Sequence, residues 1–503
     1  MLRYLSLIFA LFTFITAAAQ EPENPEPELT ATGTLPTVYI TTENNTPIDQ
    51  KETYIPATLF IDGGENFQDA TLGNSDEPVA IGIRGRGNSS WELPKKPYKI
   101  KFDKKTSLFG LPKNKHYSLI SQYYNWEGAG LVAGYEMGRQ LGMAWAPHTF
   151  PVEVVLNGEY IGLYFLTENV KIASGRLDIY EQDDENTDEE TIPYGWLLEI
   201  DNYKDEAQIV IQEKEGLRLR ITHKTPEVLS DAQRKWLVEE MTRLNDLIYS
   251  TTYEHAPWMD AIDAASLARY MIVREICNDY DGFNGSCYFH RDRPADGSEE
   301  EPKWTFGPLW DISLSASEKE DYLINSLPEW ARAHWLPEMM KSCEFNDVVR
   351  DIWNEFYPEK LEEVIDRTCS VIDTTVDAYE ADWQKWPKEH KTAPSYQKAE
   401  VSRLLRANAQ WFDENINFSE QILSGIAETT VTCSSRVNFS NGTLEIQLPG
   451  RTADICAFDI NGRAIFAPET ARSIFTKQLD YSGVAIIKII DRQGGTEVFK
   501  VVM

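Results

Sequence analysis

"FPVEVVLNGEYIGLYFLTE", residues 150–168, is the stretch on which the fold turns. Two β-rich runs flank Asn157-Gly158. Asn-Gly between apolar runs is the strongest short hairpin signal, because both central positions of a type I′ turn need φ above zero. Working outward, the N-terminal side keeps this character: "TVYITTE", "ATLFIDG" and "VAIGIRG" are apolar runs bounded by Gly, Asn or Asp. "PYKIKFD" alternates, with Tyr98, Ile100 and Phe102 on one face and Lys99 and Lys101 on the other. "YGWLLEID" adds a further strand.

After these strands the period changes. Ser230 with Gln233 is a capping box ahead of Leu237, Met241, Leu244 and Ile248, one face of a helix. Asp263 caps a second helix carrying Leu267, Tyr270, Met271 and Arg274, which runs into "NDYDGFNG". Further helices are expected near 347–366 and 398–417. From 426 onward short strands return ("TLEIQLPG", "ICAFDING", "GVAIIKIID", "TEVFKVVM"), predicting a separate small β-sandwich over 426–503. The fold class expected is α+β, a sheet-rich N-terminal part and a helix-rich C-terminal part in 35–425, followed by an all-β domain.

"MLRYLSLIFALFTFITAAAQ" has a basic start, an apolar core and small residues at Ala17 and Ala19, the layout of a secretory signal over 1–19 with cleavage before Gln20. The expectation is therefore a secreted or cell-surface protein. No other run approaches the roughly 18 apolar residues of a membrane span, so no transmembrane segment is expected in the mature chain. Residues 20–34 are Pro- and Glu-rich and read as a linker. A formal charge of −32 argues against nucleic acid as a partner. Two acidic runs, 181–190 and 298–301, read as solvated loops, whereas Arg84 to Lys115 is locally basic. The six cysteines form no CxxC and the seven histidines no HExxH, so a zinc site is unsupported.

Three stretches could carry chemistry. "IRGRGNSSW" (83–91) sets Arg84 and Arg86 among glycines, with Lys95, Lys96, Lys99 and Lys101 close behind. Glycines admit a close backbone approach and arginines clamp phosphate or carboxylate; the bland alternative is a basic turn answering the protein's own acid. "NDYDGFNGSCYFHRD" (278–292) places Asp279 and Asp281 in a Gly- and Asn-bearing loop at a helix end, where aspartates also simply make Asx-turns. In "KWTFGPLWDISLSAS" (303–317), Asp311 follows an apolar run and is expected to be buried, which requires a cationic partner, backbone N–H groups or a metal. Asp281 and Asp311 close the two ends of one excursion. Two carboxylates facing a basic, glycine-rich segment suit metal-assisted phosphoryl transfer. They would serve glycoside hydrolysis equally well, and the 14 tryptophans would suit sugar stacking.

In order along 35–420, "IRGRGNSSWELPKKPYKIKFDKK", "LFGLPKNKHYSLI", "VEVVLNGEYIGLYFLTENVK", "GWLLEID", "EICNDYDGFNGSCYFHRD" and "KWTFGPLWDISLSAS" resemble the spore coat protein H (CotH) kinase family. The resemblance implies a two-lobed, divergent protein-kinase-like fold. It also implies a secreted atypical kinase that uses ATP and Mg²⁺ or Mn²⁺ to phosphorylate Ser, Thr or Tyr of exported or cell-surface proteins. It places the catalytic aspartate at Asp281, the metal ligand at Asp311, and the phosphate-contacting cations among Arg84, Arg86, Lys99 and Lys101. The tail is similar to a C-terminal sorting domain of the type IX secretion pathway. The chain departs from the family pattern at Ser313, which stands for a second Asp or Asn of the metal stretch, and at Ser317, which stands for its glycine. Asp279 replaces the usual Asn, and Asn125, Gly130 and Leu131 stand where the family has Asp, Arg and Asn. These departures keep a second reading open, a pseudokinase acting as a surface binding or assembly module.

Overall fold

The computed structural model describes residues 29–64, 66–123, 128–201, 203, 207–214, 217–279, 282–315, 334–387, 393–424, 435–440, 442–459, 462–491 and 496–502. The chain is mixed α and β, sheet-rich toward the N-terminus and helical in the middle. It divides into two compact units, one from residues up to 123 with 150–166 and 374–391, the other from the remainder. Among the described residues no helix is long and apolar enough to cross a membrane.

The first unit is a closed barrel. Its strands are β1 (Thr37–Thr42), β2 (Ile55–Asp62), β3 (Val79–Gly85), β4 (Tyr98–Thr106), β5 (Asn114–Ile120), β6 (Thr149–Leu156) and β7 (Glu159–Glu168), in the order β1-β2-β3-β4-β5-β7-β6. The β6–β7 hairpin turns at Asn157 and Gly158, with φ of 53° and 84°. It also closes the barrel: β7 lies beside β5, and β6 pairs in parallel with β1. Alternation along each strand sends Val38, Ile40, Leu59, Ile61, Ile81, Ile83, Ile100, Phe102, Val152 and Val154 into one apolar core. The strands are legible in the sequence; their closure is not, since it rests on the one parallel pairing of residues over 110 positions apart.

The helix Val376–Lys385 belongs to this unit and packs Ala378 and Tyr379 on Leu35 and Leu163. Asp382 of this helix pairs with Lys95, both side chains fully buried. Lys95 also donates to the Leu163 carbonyl and lies 4.8 Å from the centre of the Tyr164 ring, while Asp382 accepts from Leu163 N–H at 2.9 Å. The chain passes Asp382 at Gly162 (φ 104°), where a Cβ would lie 2.1 Å from the carboxylate.

The second unit holds a sheet of β8 (Trp196–Ile200), β9 (Gln208–Lys214), β10 (Leu217–Thr225), β11 (Cys287–Arg291) and β12 (Thr305–Phe306), ordered β12-β11-β8-β10-β9 and antiparallel throughout. Its helices include α1 (Ala129–Gln140), α2 (Asp231–Tyr249) and α3 (Ala264–Ile276). The capping box forms as the sequence predicts: Gln233 N–H donates to Ser230 Oγ at 3.0 Å and Ser230 N–H to Gln233 Oε1 at 2.8 Å. Asp263 caps α3 through Ala265 N–H at 3.0 Å. From Ser266 to Ile276 every α3 residue except Arg269 is buried. The helix expected over 347–366 is in fact two, Cys343–Phe356 and Glu359–Thr374, because Pro358 forces Tyr357 into extended backbone (ψ 139°).

Residues 436–502 form five antiparallel strands, Arg436–Ser440, Thr443–Asp459, Ala464–Gln478, Val484–Asp491 and Thr496–Val502. The long second strand pairs with the third along most of its length, and on its other side with the first over 443–447 and with the fourth over 453–459. Leu444, Ile446, Ile455, Phe466, Phe475, Ile487 and Ile489 make their core. The boundary expected at 425/426 lies outside the described residues.

Removing Lys95 strands a buried carboxylate, which costs about 3–5 kcal/mol. Lys95→Met is expected to lower the urea midpoint of the barrel's transition by a corresponding amount; a midpoint within error of wild type would show that the pair does not hold the helix Val376–Lys385 to the barrel.

Candidate functional site

The cations singled out by the sequence lie on the barrel. Arg84 on β3 sits directly across from Lys99 on β4, and Lys101 sits across from Gly82. All three alternate with core residues and therefore face outward. The Arg84 guanidinium lies 5.0 Å over the Tyr54 ring and Lys101 Nζ 6.0 Å over the same ring. Arg84 also donates to the Lys51 carbonyl, so one of its donors is committed within the fold. Arg86 follows β3 and is half-buried, its backbone N–H donating to Pro97 O at 3.2 Å. The glycines among them answer to the protein's own rings. A Cβ at Gly82 would lie 3.0 Å from Tyr54, and one at Gly85 2.4 Å from Trp91.

The carboxylates belong to the second unit. Asp311, expected to be buried, is exposed, and its φ of 51° is left-handed. Leu309, Ile312 and Leu314 around it are buried, so the apolar run is anchored while the aspartate itself stands in solvent. The deeply buried carboxylate is Asp279 instead, 3% exposed. It pairs with Arg274, which is wholly buried in α3. Asn278, in left-handed backbone at φ 48°, ends the helix and returns Asp279 N–H to the Arg274 carbonyl at 2.8 Å.

Arg274 is the hub of this centre. Besides Asp279 it donates to Trp310 O at 2.8 Å, Asp311 O at 3.4 Å, Ser286 O at 3.5 Å and Tyr270 Oη at 2.7 Å. Ser313, in place of a second acid, donates to Asp279 Oδ1 at 3.3 Å. Ser315 N–H donates to Cys277 O at 3.1 Å, fixing the far end of the segment to the end of α3. Burial pushes the Asp279 carboxyl up from its ordinary range, and Arg274 opposes that push; the negative charge of Asp311 adds to it. Asp281 lies outside the described residues. Among the described residues no group of three or more His, Cys, Asp or Glu side chains is placed to hold a metal.

The other wall is α1, which the sequence does not announce. Gly130, Gly134 and Gly138 recur every fourth residue and so share one face. A Cβ at these positions would meet, respectively, Leu314 N at 2.6 Å, Ile312 Cδ1 at 2.5 Å and Leu309 Cδ1 at 2.6 Å. The segment carrying Asp311 thus lies directly on the helix. Gly130 occupies a position where the resemblance leads one to expect arginine, and the backbone of Ile312–Leu314 lies where that side chain would begin. Arg274 is the residue of this centre that the sequence does not mark as part of a site. Its signal was a lone charge on an otherwise apolar helix face, four residues after Tyr270 and five before Asp279.

A separate cavity of about 160 Å³ in the same unit is lined by Trp145, Arg269, His290, Phe306 and neighbours. His290 Nδ1–H donates to Gly307 O at 3.0 Å, and burial pulls its pKa down.

A family model described as CotH kinase protein matches residues 83–413. No curated protein matches the chain.

Two outcomes follow from this geometry. Gly130→Ala should destabilise by about 1–3 kcal/mol, the usual range for overpacking, because the atom it meets is backbone; an unchanged melting temperature would mean the segment is not seated on α1. For His290, the unfolded chain takes its proton near pH 6.5 and the folded chain only at lower pH, so stability falls as pH drops through that window. His290→Asn should flatten the loss of melting temperature between about pH 7 and 5.5.

Proposed function

Because the chain belongs to the CotH kinase family, we propose that it is an exported atypical kinase, moving the γ-phosphoryl group of ATP to a hydroxyl of an exported or cell-surface protein. The proposal extends to a two-lobed, divergent protein-kinase-like fold. The observation that carries the proposal is the exposed Asp311 carboxylate, set on an anchored apolar run with a charge-neutralised centre behind it. An exposed carboxylate with room for water suits Mg²⁺ or Mn²⁺, which keep much of their hydration and bind through one or two carboxylates and phosphate oxygens. When bound, such an ion supplies charge neutralisation at the phosphates. Asp281, matched to the family's catalytic aspartate, orients the attacking hydroxyl and takes its proton as ADP leaves. Arg84, Arg86, Lys99 and Lys101 supply phosphate-contacting cations from the barrel, the outward set Arg84, Lys99 and Lys101 being supported by their shared face.

A second reading, a catalytically impaired pseudokinase acting as a cell-surface binding or assembly module, is favoured by Asp279 being spent on Arg274 and by the segment packed over Gly130. Phosphoryl transfer is nearly all positioning and charge, so these two features bear directly on rate.

Titration of MgATP into the full chain by calorimetry, with Asp311→Ala beside it, tests the proposal. Binding by wild type, weakened about tenfold or more in the variant (roughly 1.4 kcal/mol or more), is expected. Equal binding by both would remove Asp311 from the site. Binding by neither protein, or binding without transfer of labelled phosphate to a hydroxyl acceptor, would select the second reading.

A further inference from the structure

The surroundings of the Arg274 guanidinium are those of a hard cation. One carboxylate (Asp279), three backbone carbonyls (Ser286, Trp310, Asp311) and one hydroxyl oxygen (Tyr270) converge on it. Oxygen donors of this mixture, carboxylate with carbonyls, are what divalent cations take in proteins. The guanidinium is wholly buried, and among the described residues its Nε–H meets no acceptor. The centre is therefore a pocket for positive charge, and the described residues match only part of arginine's hydrogen bonding.

The side chain is also confined. A Cβ on Gly282 would lie 2.3 Å from Arg274 Cδ and 2.6 Å from Nε, so the stem runs across the face of that glycine. Tyr270, which stacks against the guanidinium at 4.9 Å, is itself tied to Gly282 O at 2.8 Å. At Asp311 the left-handed backbone goes with a carbonyl on Arg274 and a carboxylate in solvent. The residue presents its two oxygen-bearing groups to different places.

We propose that Arg274 is a resident cation of this centre, occupying the place of a metal ion at Asp279. Asp279 then ligates no metal, and a divalent ion is taken on the Asp311 carboxylate alone. The proposal deepens the reading above and borrows from it only that a divalent ion works at Asp311. Arg274 is a positioning residue: it fixes Trp310 and Asp311 through their carbonyls and makes no claim on substrate.

Mn²⁺ titrations of the full chain, with and without ATP, followed by the electron paramagnetic resonance of free Mn²⁺, test it. Wild type and Arg274→Lys should hold the same number of ions, since lysine keeps the charge. Arg274→Met should hold one more, and Arg274→Met/Asp279→Asn should lose that extra ion. Asp279→Asn alone should leave the wild-type number and affinity unchanged. A folded Arg274→Met chain that takes no additional ion overturns the proposal, as does loss of a wild-type ion in Asp279→Asn. If Arg274→Met fails to fold, Asp279→Asn decides, with near-ultraviolet circular dichroism confirming its fold. A wild type that binds no Mn²⁺ even with ATP would sink the kinase reading, yet an ion gained by Arg274→Met would still uphold the resident cation.

Discussion

The buried pair of Arg274 and Asp279 is the constraint from which the candidate site is built. Two opposite charges out of water are tolerable only with close geometry and further hydrogen bonds around them. That requirement draws three chain segments together: the end of α3, the loop at Ser286 and the run Trp310–Ser313. The carbonyls these segments contribute are backbone groups, which must be paired wherever they are buried. One guanidinium therefore satisfies charge and backbone together, and the position of Asp311 follows from it.

The same segment is held from its other side by α1. Three glycines in nine residues are a poor helix on propensity, at about 1 kcal/mol each relative to alanine. The helix exists because Leu309, Ile312 and Leu314 lie on the glycine face, and their burial offsets that cost. Asp311 is thus fixed between a helix that offers no side chains and an arginine that offers all of its charge. Where the resemblance leads one to expect an arginine at position 130, backbone of Ile312–Leu314 fills the volume instead.

In the barrel a second buried pair, Lys95 with Asp382, does comparable work at longer range. It brings a helix from more than 200 positions later in the chain onto β7, and the conformation of Gly162 makes room for the carboxylate. The basic residues around it divide by function. Lys95 is structural, whereas Arg84, Lys99 and Lys101 share an outward face with Tyr54 beneath part of it. The glycines at 82 and 85, which composition suggests as a ligand cradle, make space for the protein's own aromatic rings.

Local chemistry was legible in the sequence: the Asn157-Gly158 turn, the in–out alternation of β4, the Ser230–Gln233 box and the Asp263 cap each depend on residues within a few positions of one another. The ordered motifs were legible in the same way, and so was the family they resemble. Closure of the barrel, the existence of α1, and which aspartate goes inside were decided by tertiary structure. An apolar run before Asp311 and a loop around Asp279 gave the wrong order of burial, because burial depends on where a cation can reach. The cation that settled it, Arg274, sits in sequence as one charge beside Tyr270 and Met271 on the apolar face of a helix. Its partners are the carboxylate five residues on and backbone oxygens up to 37 residues away. Side-chain identity marks a backbone carbonyl nowhere in a sequence, so only the folded chain could place that charge.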